Sequence, residues 1–198
     1  MNGRITHMSD NQNYPICRLL GMIKNAVGHE DRGMLAELRR GLSPSTQEYA
    51  WPHLVQFCGK FEDDDVRAIW CAVAGLAAIF YKSNLVSEQK WNNMGTMMHK
   101  LALQANESNP EKALESYGAK FRRVLSCNDM ASLCETVIRV GRAAEKKDVT
   151  LNPEVLFWDL TNWMDLAKRD EVKLRWAKQY YSARNDIASD QEKEDENS

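Results

Sequence analysis

Apolar residues recur at three- and four-residue spacings along almost the whole chain, whereas strict alternation of apolar and polar residues is nearly absent. The first spacing is that of one face of an α-helix, and alternation is that of a half-buried strand. The sequence therefore predicts an all-α fold, an irregular two-lobed helical bundle of about nine helices. The predicted helices lie near residues 14–27, 31–42, 46–57, 64–82, 94–105, 110–126, 129–147, 153–167 and 170–185.

Three of the predicted helix starts are marked by their own residues. The segments 109–111 and 152–154 both read Asn-Pro-Glu, which combines an N-cap residue, proline at the first helical position and an acid in the first turn. Three aspartates at 63–65 suit the positive end of the helix that follows them. Pro52, in contrast, is predicted to split or kink the third helix.

Residues 83–93 are predicted to form a long loop between two halves of the chain. The His7-Met8 pair resembles a cloning-site remnant, and the last residues are acidic without apolar periodicity. The predicted regions are a disordered or cloning-derived N-terminus (1–13), an N-terminal helical lobe (14–92), a C-terminal helical lobe (93–185) and an acidic disordered tail (186–198).

Several features predict a cytoplasmic protein without a membrane partner. The longest apolar run, 68–81, is shorter than the roughly 20 residues needed to cross a bilayer, so it predicts a buried core helix. Residues 1–13 are polar and do not resemble a signal peptide. The five cysteines are an odd number without CxxC spacing, which is typical of reduced thiols.

The net charge of -2 conceals an uneven distribution of charge along the chain. Residues 186–198 hold six acids and one base and therefore carry -5, which leaves +3 on residues 1–185. The predicted helical body is mildly basic, and such a balance is compatible with a nucleic-acid or acidic-protein partner.

Residue patterns that would support catalysis are not found. The four histidines are widely separated, and the sequence has no phosphate-binding glycine loop and no GxSxG nucleophile turn. The acids at 62–65 could suggest a metal site, but solvated charge at a helix start explains them better because no second cluster supplies further ligands. These residues give catalysis no support, although they do not exclude it, and they predict no cofactor and no metal.

Cations are concentrated on exposed helix faces in the second half of the chain. On the predicted helix 129–147, Arg139, Arg142 and Lys146 fall on the face opposite its apolar residues. On the preceding helix, Arg123 is predicted to face outward and Arg122 to lie at the border. Further basic candidates are Arg39, Arg40, Lys168, Arg169, Arg175 and Lys178.

Two interpretations of these basic faces remain open at this point. Arginine and lysine stripes can neutralise phosphates and release counterions, which gives affinity without sequence readout. The same residues can instead form a solvated surface with i,i+4 ion pairs such as Glu135–Arg139. From the residues alone, the chain is predicted to be a helical protein with basic faces, and the choice between a solvated surface and a surface that binds nucleic acid or an acidic partner stays open.

Eight segments occur in a recognisable order along the chain. They are 35–41 (Leu-Ala-Glu-Leu-Arg-Arg-Gly), 49–54 (Tyr-Ala-Trp-Pro-His-Leu), the apolar helix 68–81, the helix with Met-Gly at 94–95 and Leu-Ala-Leu at 101–103, 121–125 (Phe-Arg-Arg-Val-Leu), the helix 133–139, 156–163 (Leu-Phe-Trp-Asp-Leu-Thr-Asn-Trp) and 172–181 (Val-Lys-Leu-Arg-Trp-Ala-Lys-Gln-Tyr-Tyr). As an ordered set, these motifs resemble the CasB family, the small subunit of the type I-E CRISPR Cascade complex. The resemblance covers roughly residues 31–181.

The resemblance implies a two-lobed helical subunit without enzymatic activity that works in antiviral defence. Its implied partners are crRNA, non-specifically bound single- and double-stranded DNA, other Cascade subunits and a second copy of itself. Its implied role is to stabilise the guide RNA, the target strand and the displaced strand of the R-loop. Binding residues carry over to Arg39 or Arg40, Arg122 or Arg123, Arg139, Lys168 and Arg169, with Lys100 added from the fifth helix. The other four candidates rest on the helical-face pattern and are Arg142, Lys146, Arg175 and Lys178.

A helical protein–protein adaptor with basic faces is the main alternative function, and an enzyme is a more distant one. Binding to unrelated DNA separates the first two because an adaptor should ignore such DNA. A bound metal or a deep pocket with convergent polar groups would favour an enzyme.

Overall fold

Helices account for nearly all of the secondary structure, which confirms the all-α prediction. The structure, a computed structural model, describes residues 14–106 and 108–182. Within these residues, β-structure is limited to one parallel bridge between Val86 and Leu151. The helices are α1 (Pro15–Gly28), α2 (Arg32–Arg40), α3 (Trp51–Leu54), α4 (Asp64–Lys82), α5 (Met94–Ala105), α6 (Pro110–Leu125), α7 (Met130–Glu145), α8 (Pro153–Trp163) and α9 (Leu166–Tyr181), with a short 3-10 helix at Gln47–Tyr49 before α3.

Helix α4 is the central element of the fold. It begins at a side-chain cap, since Asp63 accepts hydrogen bonds from the backbone N–H groups of Asp65 and Val66. Most of its residues from Ile69 to Phe80 are buried, and it packs against α1, α2, α7 and α8. The apolar run 68–81 is therefore a core helix, as predicted. In the part of the chain that the structure describes, no helix is both long enough and apolar enough to span a membrane.

The predicted starts of α6 and α8 are confirmed. Asn109 caps α6 by accepting the backbone N–H of Lys112 at 2.9 Å. Asn152 caps α8 by accepting the N–H groups of Glu154 and Val155, both at 3.1 Å. A proline follows each asparagine at the start of the helix, where the missing proline N–H would have no partner in any case.

The predicted third helix, 46–57, is wrong as a single element. A 3-10 helix at Gln47–Tyr49 and the four-residue helix α3 replace it, and Pro52 lies within α3. Proline is tolerated in the first turn of a helix but supplies no N–H for a bond to the preceding turn. A continuous helix through this position would lose that bond, so the chain restarts at Trp51.

The last two predicted helices are present with a different boundary. Helix α8 ends at Trp163 rather than near 167, and α9 begins at Leu166 rather than near 170. The side chain of Asp165 accepts the N–H of Ala167 at 3.0 Å and so caps the start of α9. Residues 183–185 of the predicted last helix lie outside the described residues.

The loop predicted at 83–93 connects α4 to α5 and is anchored to the segment before α8. The N–H of Ser87 donates to the Leu151 carbonyl at 2.7 Å, and the Asn92 amide donates to Thr150 Oγ1 at 2.9 Å. Buried side chains from both sides of this loop form one continuous core. The boundary between lobes at 92 and 93 stays a prediction. The predicted N-terminal region 1–13 and the tail 186–198 lie outside the described residues.

Candidate nucleic-acid interface

Helix α7 presents an apolar face to the core and a cationic face to solvent, as the sequence predicts. Its buried residues recur at three- and four-residue spacings and are Met130, Leu133, Cys134, Val137, Gly141 and Ala144. Arg139, Arg142 and Lys146 are all exposed. Because Arg139 and Lys146 are seven positions apart, the three cations follow one stripe of about two helical turns. We call this stripe the α7 ridge.

A groove of about 290 Å³ opens on one side of the α7 ridge, between α5, α6 and α7. Its cationic side chains are Lys120 and Arg123 from α6 and Arg139 from α7. Its floor is apolar and is formed by Met98, Leu101, Val124, Val140 and Ala143, and Tyr117 and Thr136 complete the lining. We call it the α6–α7 groove. Cations from two helices therefore surround one concave surface.

A second groove, of about 500 Å³, opens on the other side of the α7 ridge, between α4 and α7. We call it the α4–α7 groove. Its cations are Arg67, Arg139 and Arg142, and its acids are Asp64 and Glu135. Arg67 is held by the protein, because it forms an ion pair with Asp64 and donates to the Phe61 carbonyl at 2.9 Å. The cations left to bind a ligand there are Arg139 and Arg142.

Arg139 lines both grooves and is held in place by its own helix. Its guanidinium donates to Thr136 Oγ1 at 3.1 Å. The Glu135–Arg139 ion pair, which would have made this face an ordinary solvated surface, is not formed between these two described residues. Arg123, Arg142 and Lys146 likewise have no ion-pair partner within residues 14–106 and 108–182. These charges are therefore available to an external anion.

A protein-family model matches residues 34–181, and its description is CRISPR-associated protein Cse2. The match covers well over half of the chain. The chain belongs to the Cse2 family. As a member of this family it is a subunit of the CRISPR Cascade complex. All twelve predicted binding residues, from Arg39 to Lys178, lie within the matched region.

A solved structure supports the fold of this Cse2-family protein. The crystal structure of M. ruber CasB matches with a TM-score of 0.58 and 21% sequence identity, and the match covers 84% of this chain and 97% of that one. At this identity the likeness shows the shared fold and does not transfer residue roles. Among curated proteins, none matches the chain significantly.

The pair Arg122 and Arg123 does not act as one unit in the Cse2-family protein. Both side chains are exposed. Arg123 faces α7 across the α6–α7 groove, whereas the Arg122 guanidinium lies over Gly118 and close to Tyr180 of α9. The two arginines therefore face different sides of α6. Only Arg123 lines the groove with Lys120 and Arg139.

The remaining predicted cations are spread over other parts of the surface. Arg39 donates to the Leu35 carbonyl at 3.0 Å, and Arg40 lies 4.6 Å from the centre of the Tyr49 ring. Lys100 lies 5.9 Å from the centre of the Trp91 ring. Lys168 pairs with Asp165 at 3.5 Å, and Lys178 is exposed. None of these five residues lines either groove beside the α7 ridge.

Two predicted binding residues are held by contacts with α8. Arg169 donates to the Trp163 carbonyl at 2.9 Å, at the end of α8. Arg175 forms an ion pair with Asp159, whose other oxygen accepts the indole N–H of Trp176 at 2.6 Å. Burial raises the pKa of Asp159, and the hydrogen bond from Trp176 and the charge of Arg175 oppose that rise. These contacts hold α9 against α8.

The helical-face pattern missed Lys120, which lines the α6–α7 groove, and Lys173, which lines neither groove and lies 5.3 Å from the centre of the Trp163 ring. Lys120 lies three residues before Arg123 and so shares its face of α6, a spacing that is readable in the sequence. Lys173 lies near the Cys127 thiol, as does Arg139. Burial raises the pKa of Cys127, and the two positive charges oppose the rise. No sequence pattern shows that α9 brings Lys173 to this end of α7.

Potential metal ligands are dispersed in the described part of the chain. Residues 14–106 and 108–182 contain no group of three or more histidine, cysteine, aspartate or glutamate side chains that could hold a metal ion. The three described histidines are hydrogen-bonded within the protein. His29 contacts the Asn25 carbonyl, His53 contacts Glu37, and the buried His99 contacts the Tyr180 carbonyl. The acids at 62–65 lie at the capped start of α4, as predicted.

Proposed function

We propose that this Cse2-family protein is a non-catalytic Cascade subunit that binds nucleic-acid backbone without sequence specificity. The observation that carries the proposal is the convergence of Lys120, Arg123, Arg139 and Arg142 around the α7 ridge. These side chains come from two helices and have no ion-pair partner among the described residues. We call these four residues, which line the two grooves, the ridge cations. Lys146 belongs to the α7 ridge but lines neither groove, so it is not one of them.

Phosphate is the ligand that suits this arrangement best. Each cation that binds a phosphate releases counterions from the nucleic acid, and an arginine can also donate two parallel hydrogen bonds to one phosphate. Contacts of this kind position a strand and carry no sequence information.

The proposed role is to stabilise the crRNA, the target strand and the displaced strand in the R-loop during antiviral defence. Forming an R-loop exchanges one duplex for another of similar stability, so protein contacts to the backbone can shift the balance. We further propose that the protein works in the cytoplasm beside other Cascade subunits and a second copy of itself. The two grooves lie on opposite sides of the α7 ridge and share Arg139, so we propose that one subunit contacts two strands.

The test is a salt series with purified protein and unrelated single-stranded DNA, double-stranded DNA and RNA. We expect binding with little sequence preference and a steep loss of affinity as salt rises. The variant K120A/R123A/R139A/R142A should bind much more weakly. Its slope of log affinity against log salt for single strands should be smaller by about 0.7 for each ridge cation that contacts a phosphate.

A charge-matched control separates the ridge from net charge. The variant K24A/R32A/K60A/K82A also removes four exposed cations, none of which lines either groove. We expect it to keep most of the affinity of the wild-type protein. Equal losses in the two variants would show that affinity follows net charge, and no binding by the wild-type protein at low salt would overturn the proposal.

A protein–protein adaptor is the second candidate, and one feature of α9 favours it. Leu166 and Leu174 are 73% and 71% exposed on this helix. Large apolar side chains exposed on one helix are typical of a surface that a partner protein covers. An adaptor would bind its partner subunits with the ridge cations removed and would ignore unrelated DNA. The salt series above distinguishes this outcome.

A further inference from the structure

Trp91 differs from the other five tryptophans of the chain. It is 47% exposed, whereas Trp70, Trp163 and Trp176 are buried and the remaining two are partly buried. Each of the other five indoles contacts another aromatic ring. Within the described residues, Trp91 has no aromatic partner, and its ring is left facing solvent.

The backbone that carries Trp91 is fixed on both sides. The Trp91 carbonyl accepts the N–H of Asn93 at 2.9 Å and the hydroxyl of Thr96 at 2.7 Å. Asn92 and Asn93 are 1% and 2% exposed, and the Asn92 amide donates to Thr150. These hydrogen bonds fix the backbone that carries the indole, so this part of the loop does not need to be ordered when a ligand binds. Such preorganisation lowers the entropic cost of binding.

One lysine side chain lies over this indole, and two further lysines belong to the same part of the surface. Lys100 Nζ lies 5.9 Å from the ring centre, at the outer limit of cation–π attraction, so its charge stays available to an anion. Lys147 lies close by, since it donates to the Gln104 carbonyl one turn after Lys100. Lys90 precedes Trp91 in the chain. Asp148 is the acid that lines the shallow groove beside Lys100, and Glu88 is the other acid of the loop.

We infer that Trp91 is a stacking platform for an unpaired base of single-stranded nucleic acid, with Lys100 contacting the adjacent phosphate. Aromatic rings beside cations bind single strands in this way, because every base has a face that can stack and a phosphate that can be neutralised. The excess of lysine over acid favours an anionic partner, and the exposed indole beside Lys100 favours a nucleic acid, which offers both a base to stack and a phosphate, over an acidic protein segment. This inference rests on the proposed function and adds a contact outside the two grooves.

The test compares W91A and W91F with wild-type protein in binding oligothymidylate and a duplex of the same length. Loss of one stacked base should weaken oligothymidylate binding by roughly 5- to 100-fold in W91A. W91F keeps an aromatic face and should lose much less. Duplex binding should stay close to wild type in both, because paired bases cannot stack on an external ring. Leu174→Ala, which also shortens an exposed apolar side chain, should leave both affinities unchanged.

The possible failures are distinguishable. If W91A binds oligothymidylate as tightly as wild type while the ridge variant does not, the stacking inference is wrong and the proposed function stands. An equal loss for duplex and single strand would also overturn stacking. Normal binding of DNA by W91A, together with defective assembly with partner subunits, would assign the indole to a protein contact. If wild-type protein binds no nucleic acid at low salt, both proposals fail.

Discussion

Arg175 and Lys178 lie three residues apart on α9 but differ in what they contact. Arg175 reaches Asp159 of α8, a carboxylate that is 2% exposed and also accepts the Trp176 indole N–H. Lys178 is exposed and has no ion-pair partner among the described residues. A buried carboxylate that loses a charged partner keeps its desolvation cost. At the scale of single residues, the main effect expected of Arg175 is therefore on the stability of the fold, through Asp159, and not on the binding of a ligand.

We predict that Arg175→Ala lowers the free energy of unfolding by about 1–3 kcal/mol. The range is set by the loss of a hydrogen bond to a buried charge, reduced because the Arg175 side chain is partly exposed. Lys178→Ala is the matched control and should change stability by no more than about 0.5 kcal/mol. Urea denaturation at neutral pH measures both. Equal effects of the two substitutions would show that the Asp159 pair does not hold α9 in place.

The crossing of α5 and α9 depends on the absence of a side chain at one position. A Cβ atom at Gly95 would overlap the backbone carbonyl of Trp176, so the two helices approach more closely than alanine allows. This constraint acts between two helices, α5 and α9. The space beside Gly95 is filled by the backbone of Trp176, which cannot move aside as a flexible side chain can. We predict that Gly95→Ala lowers the free energy of unfolding by about 1–3 kcal/mol, the usual cost of overpacking a core.

Gly21 is the control for this prediction because it lies in the interior of α1 with no atom near its added Cβ. Gly21→Ala should raise the free energy of unfolding by about 0.5–1 kcal/mol, since alanine loses less backbone entropy in a helix. The two substitutions make the same chemical change and should shift the urea midpoint in opposite directions. A stabilising Gly95→Ala would show that α5 and α9 do not cross at this distance.

Helix positions were predictable where the local sequence contains the decisive interaction. The starts at Asn109 and Asn152 are set by side chains that cap the next turn, and both were predicted. The break between α8 and α9 was predicted four residues too late because apolar periodicity continues across it and the cap at Asp165 resembles an ordinary helical acid. The division of the third helix was predicted from Pro52, but the helical part was predicted too long because periodicity does not show where the helix restarts.

The composition of the site was easier to predict than its arrangement. The exposed face of α7 follows from helical geometry alone, and its three cations lie where the sequence places them. The pairing of Arg139 with Lys120 and Arg123 depends on how α6 packs beside α7, which no pattern within either helix contains. The same limit applies to Arg169 and Arg175, because their partners lie across a helix boundary. Tertiary packing decides which cations are free.

At the scale of the whole molecule, charge is divided between a basic body and an acidic terminus. Residues 186–198 carry -5 and residues 1–185 carry +3, so the terminus opposes the attraction of any polyanion to the body. We predict that deleting residues 186–198 strengthens binding to single-stranded DNA several-fold at low salt and has little effect at high salt, where screening removes long-range electrostatic interactions.

A full-length variant with the six acids of this segment changed to amides is the control for chain length, and its affinity should match that of the deletion. A salt titration of all three proteins checks this. Unchanged affinity in the amide variant would show that the ridge cations act locally, without a contribution from the charge of the terminus.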